Sequence, residues 1–467
     1  MYCTGKRVHN STADFGESLL IPNPFEDYVN NGTTEETTNT GRKAYCFHGD
    51  LYYDHKDFWC EQCERAMNRH DRYHVRLRHT CFGERLTFVM VDKHRFVCPI
   101  CGSSKMQSIP FQAENHRITK ELQIHVELLL SQGYSNKQVS GLTGLHQATV
   151  KEIDKARLQR IYTEDGQQLK KPEYQAKHLA IDEFKLHDGY KFATHIIDLD
   201  RGHVIWIKEG KKKQVVYDFI DFVGEEWMGN VEAVACDMNS DFQEAFEERC
   251  PDIQVVYDHF HIIKNFNEKV VSEIRKDEQR RLQEEGDVEA AKALKGSRYI
   301  LMSKRSTLKE KDAEAAEGKI IQKESKMFGV PEIRRSEGYE SRYTDLIAQN
   351  KLLFTVDLVK EMLEKAYQQK TDTEMADTID QIVETCRATK NKHFCWFANL
   401  LENHYDGVIA HASLQITSGK IEGINNKIKV VRRIAYGFHD DEYFFLKVID
   451  ASRREYVRNP VSPKVLH

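Results

Sequence analysis

The sequence contains little proline, no long apolar run and no large excess of charge of either sign. Nine prolines occur among 467 residues, and only Pro331 lies between Asn267 and His411. No stretch approaches the roughly 18 apolar residues of a membrane span. The formal net charge of −5, from 68 basic and 73 acidic side chains, excludes a histone-like polycation. A nucleic-acid partner must therefore be bound by basic residues that are concentrated locally.

The first residues, MYCTGKRVHNSTADFGES, also lack the basic-then-apolar pattern of a secretory signal. We therefore expect a cytoplasmic protein without membrane contact, which would be associated with the nucleoid if DNA is its partner. Its 40% hydrophobic and 30% charged residues are typical of folded globular chains. The length predicts two to four packed units.

Four of the eleven cysteines form two Cys-x-x-Cys pairs, which in a cytosolic chain indicate a metal site rather than disulfides. The pairs are Cys60 with Cys63 and Cys98 with Cys101. Together they supply the four thiolates of a closed tetrahedral zinc site, if a hairpin across residues 74–91 brings them together. Unligated buried cysteines and a redox pair are alternatives, but neither explains two pairs that flank a predicted hairpin. We predict a structural zinc ion.

A helix-turn-helix pattern follows. Ser135 can cap a helix that runs through Leu142, Gly144 fits a tight turn, and a second helix begins near Gln147. The residues predicted to pack the two helices together are Val139, Leu142, Leu145, Val150 and Ile153. The residues expected to approach a DNA major groove and its backbone are Gln147, Thr149, Lys151 and Lys155. The alternative is an ordinary helical hairpin that packs onto another part of the chain.

Basic and aromatic residues are interleaved around the cysteine pairs. The basic residues are Arg65, Arg69, Arg72, Arg76, Arg78, Arg85, Lys93 and Arg95, and the ring-bearing residues are Tyr73, His74, Phe82 and Phe96. This composition suits contact with DNA phosphates and equally an ordinary solvated surface, so both interpretations stay open.

Three strand patterns, HLAIDEFKL, KFATHIIDL and HVIWIKE, predict an antiparallel meander. A helix, the strand VEAVACD, a second helix and the strand IQVVYD follow. Asp182 lies in the first strand and Asp237 ends the fourth. In a βββαβα sheet of ribonuclease H type these two strands are neighbours, so both carboxylates would converge and hold divalent metal. For His259 and His261, after the fifth strand, we favour hydrogen bonding within the fold over proton transfer.

A third carboxylate, Glu422, lies in a C-terminal helical pattern. One face of this helix would dock on the sheet through Ile421, Ile424, Ile428 and Val431. The opposite face carries Glu422, Asn425, Asn426, Lys429 and Arg433. Each of the three acids taken singly can instead be a solvated or capping residue. Competing acids near the same sheet edge are Glu183, Asp188, Asp241 and Asp258.

From about Tyr45 onward the chain resembles the ISL-three family of bacterial insertion-sequence DDE transposases. The likeness is carried by the cysteine pairs and helix-turn-helix, and by the blocks AIDEF, CDMNSDF, VVYDHFHIIKNFN and SGKIEGINNKIKVVRRIAYGF. The resemblance implies an RNase H-like fold whose catalytic triad, Asp182, Asp237 and Glu422, binds Mg²⁺ or Mn²⁺. It also implies a homo-oligomer on double-stranded DNA, at terminal inverted repeats and target DNA. The residues expected to hold the DNA backbone beside the site are Lys427, Lys429, Arg432 and Arg433.

The expected architecture is α/β and multidomain: an RNase H-like mixed sheet (βββαβαβα) with a long all-α insertion, preceded by a zinc-binding domain and a helix-turn-helix. The expected parts are a flexible leader (1–43), the zinc-binding domain (44–112), the helix-turn-helix (113–165), the first catalytic part (172–266), the helical insertion (267–411) and the C-terminal catalytic helices (412–467). We predict a transposase that binds element ends and catalyses Mg²⁺-dependent strand cleavage and strand transfer. The alternatives are a DNA-binding regulator, including a domesticated transposase without cleavage activity, and a structure-specific nuclease or resolvase.

Overall fold

The computed structural model describes residues 25, 27–189, 191–238, 240–257, 259–322, 333–334, 337–348, 350–416, 419–435 and 437–454. The chain divides into two compact units. The first contains the residues up to Lys170 together with Val431–Lys447, and the second contains Lys171–Val430 and the residues from Val448 onward. Within the described ranges, no helix has the length and apolar character needed to cross a membrane.

The first unit begins with a five-stranded sheet. Its strands are β1 (Tyr28–Thr37), β2 (Lys43–Leu51), β5 (Asn68–Phe82), β6 (Arg85–Val97) and β7 (Ser104–Met106). Their order is β1-β2-β6-β5, with β7 also paired to β6, and only β2 and β6 run parallel. Between β2 and β5 in the chain lie the 3₁₀ turn His55–Asp57 and a short hairpin of β3 (Trp59–Cys60) and β4 (Arg65–Ala66).

Strand β1 is a correction to the leader that the sequence predicts over residues 1–43. Residues 1–24 and 26 lie outside the described residues, but 28–37 pair with β2 from Tyr28 opposite Leu51 to Thr37 opposite Lys43. The polar run shows no period in the sequence because only Tyr28 and Val29 of this edge strand are buried, and the residues after them are exposed or half-buried. The Tyr28 hydroxyl donates to the Phe47 carbonyl at 2.9 Å, which anchors the strand.

Three helices complete the predicted DNA-reading region: α1 (Lys120–Ser131), α2 (Asn136–Thr143) and α3 (Gln147–Tyr162). The Ser135 side chain caps α2, and Gly144 ends it with φ 73°, as the sequence predicts. The predicted core residues Val139, Leu145, Val150 and Ile153 are buried in one cluster. Leu142 is a correction, because it is 54% exposed and does not pack between the helices. A small hairpin of β8 (Thr163–Glu164) and β9 (Gln168–Leu169) follows.

The second unit contains the predicted meander and its continuation in one mixed sheet. Its strands are β10 (His178–Lys185), β11 (Phe192–Asp198), β12 (His203–Glu209), β13 (Ala233–Cys236) and β14 (Gln254–Tyr257). The order is β12-β11-β10-β13-β14, with antiparallel pairing among the first three and parallel pairing of β13 with β10 and β14. The helices between these strands are α4 (Lys213–Val223), α5 (Glu225–Met228) and α6 (Ser240–Arg249).

Helices dominate the region after β14. They are α7 (His259–Asn265), the π-helical turn Phe266–Val271, α8 (Ser272–Glu284), α9 (Val288–Leu294), α10 (Arg298–Met302), α11 (Arg305–Ala316), α12 (Tyr339–Ala348), α13 (Lys351–Ala366), α14 (Asp372–Ala388), α15 (Lys392–Asn403), α16 (Tyr405–Ile409), α17 (His411–Leu414), α18 (Gly419–Ile434) and α19 (Asp441–Arg453). The sequence predicts no strand in this insertion, yet β15 (Ile320–Gln322) pairs with β16 (Ile333–Arg334). Strands of three and two residues are too short to give a periodic signal.

Residues 431–447 belong to the first unit, whereas the sequence predicts them in the C-terminal catalytic part, and a buried carboxylate of the first unit bonds to this segment. Asp154 of α3 is fully buried and needs partners for its charge. It accepts hydrogen bonds from the Tyr443 hydroxyl and the Lys447 ammonium, both at 2.7 Å, and from Arg157 at 2.9 Å. The start of α19 is therefore bonded to the second helix of the helix-turn-helix.

Gly49 of β2 provides a test of strand β1, because β1 pairs with β2 there and leaves no space for a side chain at Gly49. A Cβ atom at Gly49 would lie 2.2 Å from the Val29 carbonyl oxygen and 2.5 Å from the Tyr28 ring. Gly49→Ala should therefore lower the free energy of unfolding by about 1–3 kcal/mol, measured by urea denaturation. Gly141 of α2 has open space at its Cβ position, and Gly141→Ala should be neutral or stabilise by up to about 1 kcal/mol. Equal stability of both variants would contradict the packing of β1 on β2.

Candidate catalytic and metal sites

The register between β10 and β13 brings two of the predicted carboxylates together. The strands pair in parallel with Ala180 opposite Ala235. Asp182 and Asp237 each come two residues later, so they lie at matching positions where the strands reach the same sheet edge. Both side chains are half-buried. The neighbouring strands that the sequence predicts are confirmed in this geometry.

Helix α18 meets Asp182 through Asn425. The Asn425 amide donates to Asp182 Oδ2 at 2.6 Å, and the Glu183 backbone N–H donates to Asp182 Oδ1 at 2.8 Å. Glu422 lies three residues before Asn425, so it occupies the same helix face one turn earlier and is exposed there. The predicted apolar stripe is buried at Ile421, Ile424 and Ile428. Among the polar residues predicted for this face, Asn425 has the direct contact with Asp182.

Asp237 is oriented by its own local contacts. The Met238 backbone N–H donates to Asp237 Oδ1 at 2.6 Å, and His261 Nδ1 lies 3.0 Å from the same oxygen. His261 therefore bonds within the fold, as we expect from the sequence, and its partner is a candidate metal ligand. The His259 ring instead lies 5.3 Å from Tyr367 and 5.9 Å from His411.

The sequence does not single out His195, which lies directly opposite Asp182 on β11. The imidazole is fully buried, and neither ring nitrogen has a hydrogen-bond partner among the described residues. Burial lowers the pKa of His195 to about 4, against the opposing charge of Asp182, so the ring is neutral at pH 7. The sequence signal for His195 is a histidine directly followed by the apolar Ile196 and Ile197 in the predicted strand KFATHIIDL.

The competing acids are less well placed. Glu183 points to the opposite face of β10 from Asp182, and burial raises the pKa of its carboxyl. Asp188 is exposed and pairs with Lys185 at 3.1 Å. Asp241 lies in the first turn of α6, and Asp258 lies outside the described residues.

The three predicted carboxylates do not surround a single point. In the described part of the chain, the four paired cysteines are the one group of three or more possible metal ligands whose ligand atoms all lie within 4.8 Å. Asp182 is linked to Asp237 by register and to Glu422 through Asn425.

The sulfur atoms of Cys60, Cys63, Cys98 and Cys101 meet as the sequence predicts. Strands β3 and β4 form the turn that carries the first pair, and the β5–β6 hairpin returns the second pair to it. Zinc–sulfur bonds of about 2.3 Å place tetrahedral sulfurs about 3.8 Å apart. Cys60 Sγ and Cys101 Sγ are 3.6 Å apart, so the cluster can bind zinc.

The surroundings of the cysteine cluster hold it in place. The Phe58 and Phe96 rings stack at 3.8 Å between centroids beside the buried Cys60 and Cys98. A hydrogen bond with the Ser103 hydroxyl lowers the pKa of the Cys101 thiol to about 6, whereas the contact with Cys101 raises the pKa of the Cys63 thiol to about 12.

The residues of α3 that are predicted to contact DNA differ in their exposure and in their ion pairs. Gln147 is exposed at the start of the helix and Thr149 is half-buried. Lys151 and Lys155 lie 3.3 and 3.2 Å from Asp440 Oδ2, and Lys155 also pairs with Glu442 at 3.0 Å. DNA phosphates would have to compete with these carboxylates for the two lysines.

The other predicted basic contacts also separate into two groups. Lys429 and Arg433 are exposed, whereas Lys427 and Arg432 are half-buried, and the Arg432 guanidinium lies 5.1 Å from the Phe444 ring centroid.

Near the cysteine pairs, the ion pairs are Arg72 with Asp92, Arg76 with Glu36, Arg85 with Glu35 and Arg95 with Asp71. For these four arginines the pairing favours the solvated-surface interpretation.

Comparison with known proteins gives consistent matches. The profile of the ISL3 (ISL-three) family of DDE proteins, described as "Transposase", matches residues 179–448. The chain is 26% identical over 391 residues to the transposase for insertion sequence element IS1001 of Bordetella parapertussis, covering 83% of this chain and 87% of the relative. It is 22% identical over 273 residues to the transposase for insertion sequence element IS1557 of Mycobacterium tuberculosis, covering 57% and 58%.

Removal of one thiolate tests the cysteine cluster. Cys98→Ser should release zinc and increase proteolysis of the first unit, because three ligands no longer close the site. Metal analysis of the purified chain measures the loss. Cys250→Ser, which changes a half-buried cysteine of the second unit, should retain zinc. Unchanged zinc content in Cys98→Ser would contradict the assignment.

Proposed function

Since the chain belongs to the ISL3 family of DDE transposases, we propose that it binds the ends of an insertion sequence and catalyses Mg²⁺-dependent strand cleavage and strand transfer. The observation that carries this proposal is the β10–β13 register, which aligns Asp182 with Asp237. The Asn425 hydrogen bond to Asp182 adds the helix of Glu422 to the same edge.

The catalytic domain is proposed to be RNase H-like. Three antiparallel strands followed by two parallel strands, with helices after the third, fourth and fifth, support this proposal. The all-α region after α7 is proposed to be an insertion that separates the sheet from Glu422.

The donor set at the sheet edge suits Mg²⁺ or Mn²⁺, because both prefer carboxylate oxygens to sulfur or imidazole. When bound, such ions activate the attacking oxygen and stabilise the leaving oxygen of an in-line displacement at phosphorus. Asp182, Asp237 and Glu422 are the proposed ligands. Asn425 and His261 would fix the orientations of Asp182 and Asp237, and hydrogen bonds of this type strengthen metal binding.

Both reaction steps can use the same residues. Attack of water on a phosphodiester breaks the bond to the 3′ oxygen and leaves a free 3′ hydroxyl. Attack of that hydroxyl on target DNA then forms a new phosphodiester and releases a target 3′ oxygen. The exposed Lys429 and Arg433 on the helix of Glu422 are proposed to hold the DNA backbone nearby.

End recognition is proposed for the helix-turn-helix. The capped α2, the Gly144 turn and the exposed Gln147 at the start of α3 support entry of α3 into a major groove. Cleavage at two element ends would require paired protomers, so a homo-oligomer on DNA is part of the proposal.

Asp237→Asn tests the catalytic assignment. The variant keeps the size of the side chain but loses its charge, so cleavage of labelled duplex carrying the DNA that flanks the gene should fall more than roughly 100-fold. Binding of the same duplex should not change. Asp188→Asn, in an exposed residue beyond the end of β10, is the matched control and should cleave normally. Cleavage by Asp237→Asn at the normal rate would refute Asp237 as a ligand and make Asp241 the candidate.

A further inference from the structure

Two turns of the first unit form an open groove at one end of its sheet. The turn between β1 and β2 and the turn between β5 and β6 together enclose about 700 Å³. Arg42 and Lys43 line it from the first turn, and Phe82, Glu84 and Arg85 line it from the second. This groove lies outside the cysteine cluster and the predicted face of α3.

The groove has unneutralised positive charge. Within the described residues, neither Arg42 nor Lys43 forms an ion pair, and Arg42 donates only to the Glu84 backbone carbonyl at 3.2 Å. Arg85 pairs with Glu35, and its guanidinium lies 4.8 Å from the Tyr45 ring centroid. Four arginines of this sheet, Arg72, Arg76, Arg85 and Arg95, are paired with acids, whereas Arg42 and Lys43 keep their charge in a groove whose lining includes one acid, Glu84.

The second turn is shaped for close approach of a ligand. Phe82 is 42% exposed beside Gly83, which has φ 58° and open space at its Cβ position. An exposed aromatic ring next to cations and a bare backbone suits an extended anionic polymer, which can contact both phosphates and sugars.

The groove is fixed beside the helix-turn-helix. Arg78 of β5 donates to the Thr143 carbonyl at 2.9 Å and to the Thr87 carbonyl at 2.6 Å, which joins the β5–β6 hairpin to the end of α2. A Cβ atom at Gly144 would lie 3.4 Å from Arg42 Nη1. Arg42 therefore lies beside the Gly144 turn that precedes α3. Gly144 is three residues before Gln147, the first residue of α3.

We propose that this groove binds the DNA backbone that flanks the base pairs contacted by α3. The inference rests on the proposed function, because it requires that α3 enters a major groove at the element end. With α3 in the major groove of the DNA, the turn at Gly144 lies near the phosphates that border the major groove. Arg42 and Lys43 then contact the phosphates farther along the DNA backbone. Phosphate contacts of this kind set the register of the protein on DNA without reading sequence.

The salt dependence of DNA binding tests the groove in the full-length, zinc-containing chain. Each lost phosphate contact reduces the slope of log K against log salt concentration by about 0.9, so Arg42→Gln with Lys43→Gln should reduce it by about 1.8. Lys43→Gln alone should reduce it by about 0.9 and avoids any disturbance of the Arg42 packing. The probe is a fluorescent duplex carrying the flanking DNA, measured by anisotropy beside a scrambled duplex.

Lys56→Gln is the matched control, because Lys56 is an exposed lysine on the same unit, near the cysteine cluster and outside the groove. Its slope should equal that of the wild type, and hydroxyl-radical footprints of the groove variants should lose protection only beside the site of α3. If both groove variants have the slope and the footprint of the wild type, the inference is overturned and end recognition stays intact. That result is expected if an acidic protein segment, and not DNA, occupies the groove. Equal binding of the flanking and scrambled duplexes by the wild type would overturn end recognition and the inference with it.

Discussion

The parallel pairing of β10 with β13 is the constraint on which the catalytic account depends. Successive side chains of a strand alternate between sheet faces, so a shift of one residue in this register would move Asp237 away from Asp182. The buried apolar residues of both strands, from Leu179 and Ala180 to Val234 and Ala235, specify the register through packing. The two acids are therefore positioned by the packing of the apolar residues that precede them in β10 and β13.

Sequence patterns predict the features that have a strong local or periodic signal. The cysteine pairs, the capped turn at Gly144 and the buried stripe at Ile424 are of this kind. Strand β1 is missed because it is an edge strand with exposed polar residues, stabilised by its partner strand and by Tyr28. The environment of His195 is also beyond sequence reading, because it arises from strand pairing with Asp182 across 13 positions.

Many basic side chains of this chain are neutralised by ion pairs with acidic side chains close to them. A net charge of −5 opposes DNA binding in general, and many basic residues are already paired with acids. Lys151 and Lys155 on α3 share Asp440, so DNA binding there is an exchange of one anion for another. The cations without an acidic partner in the described ranges include Arg42, Lys43 and Lys429, and they can gain most from phosphate contact.

Iron-directed cleavage of the polypeptide tests the central claim, that the sheet edge and α18 share one divalent-metal site. Fe²⁺ in place of Mg²⁺, with ascorbate and peroxide, produces hydroxyl radicals that cut the chain close to the bound ion. The account predicts cuts near Asp182, Asp237 and Glu422, suppressed by excess Mg²⁺ and weakened in Asp182→Asn. Cuts confined to other segments, or cuts that Asp182→Asn leaves unchanged, would contradict a metal site at these three carboxylates.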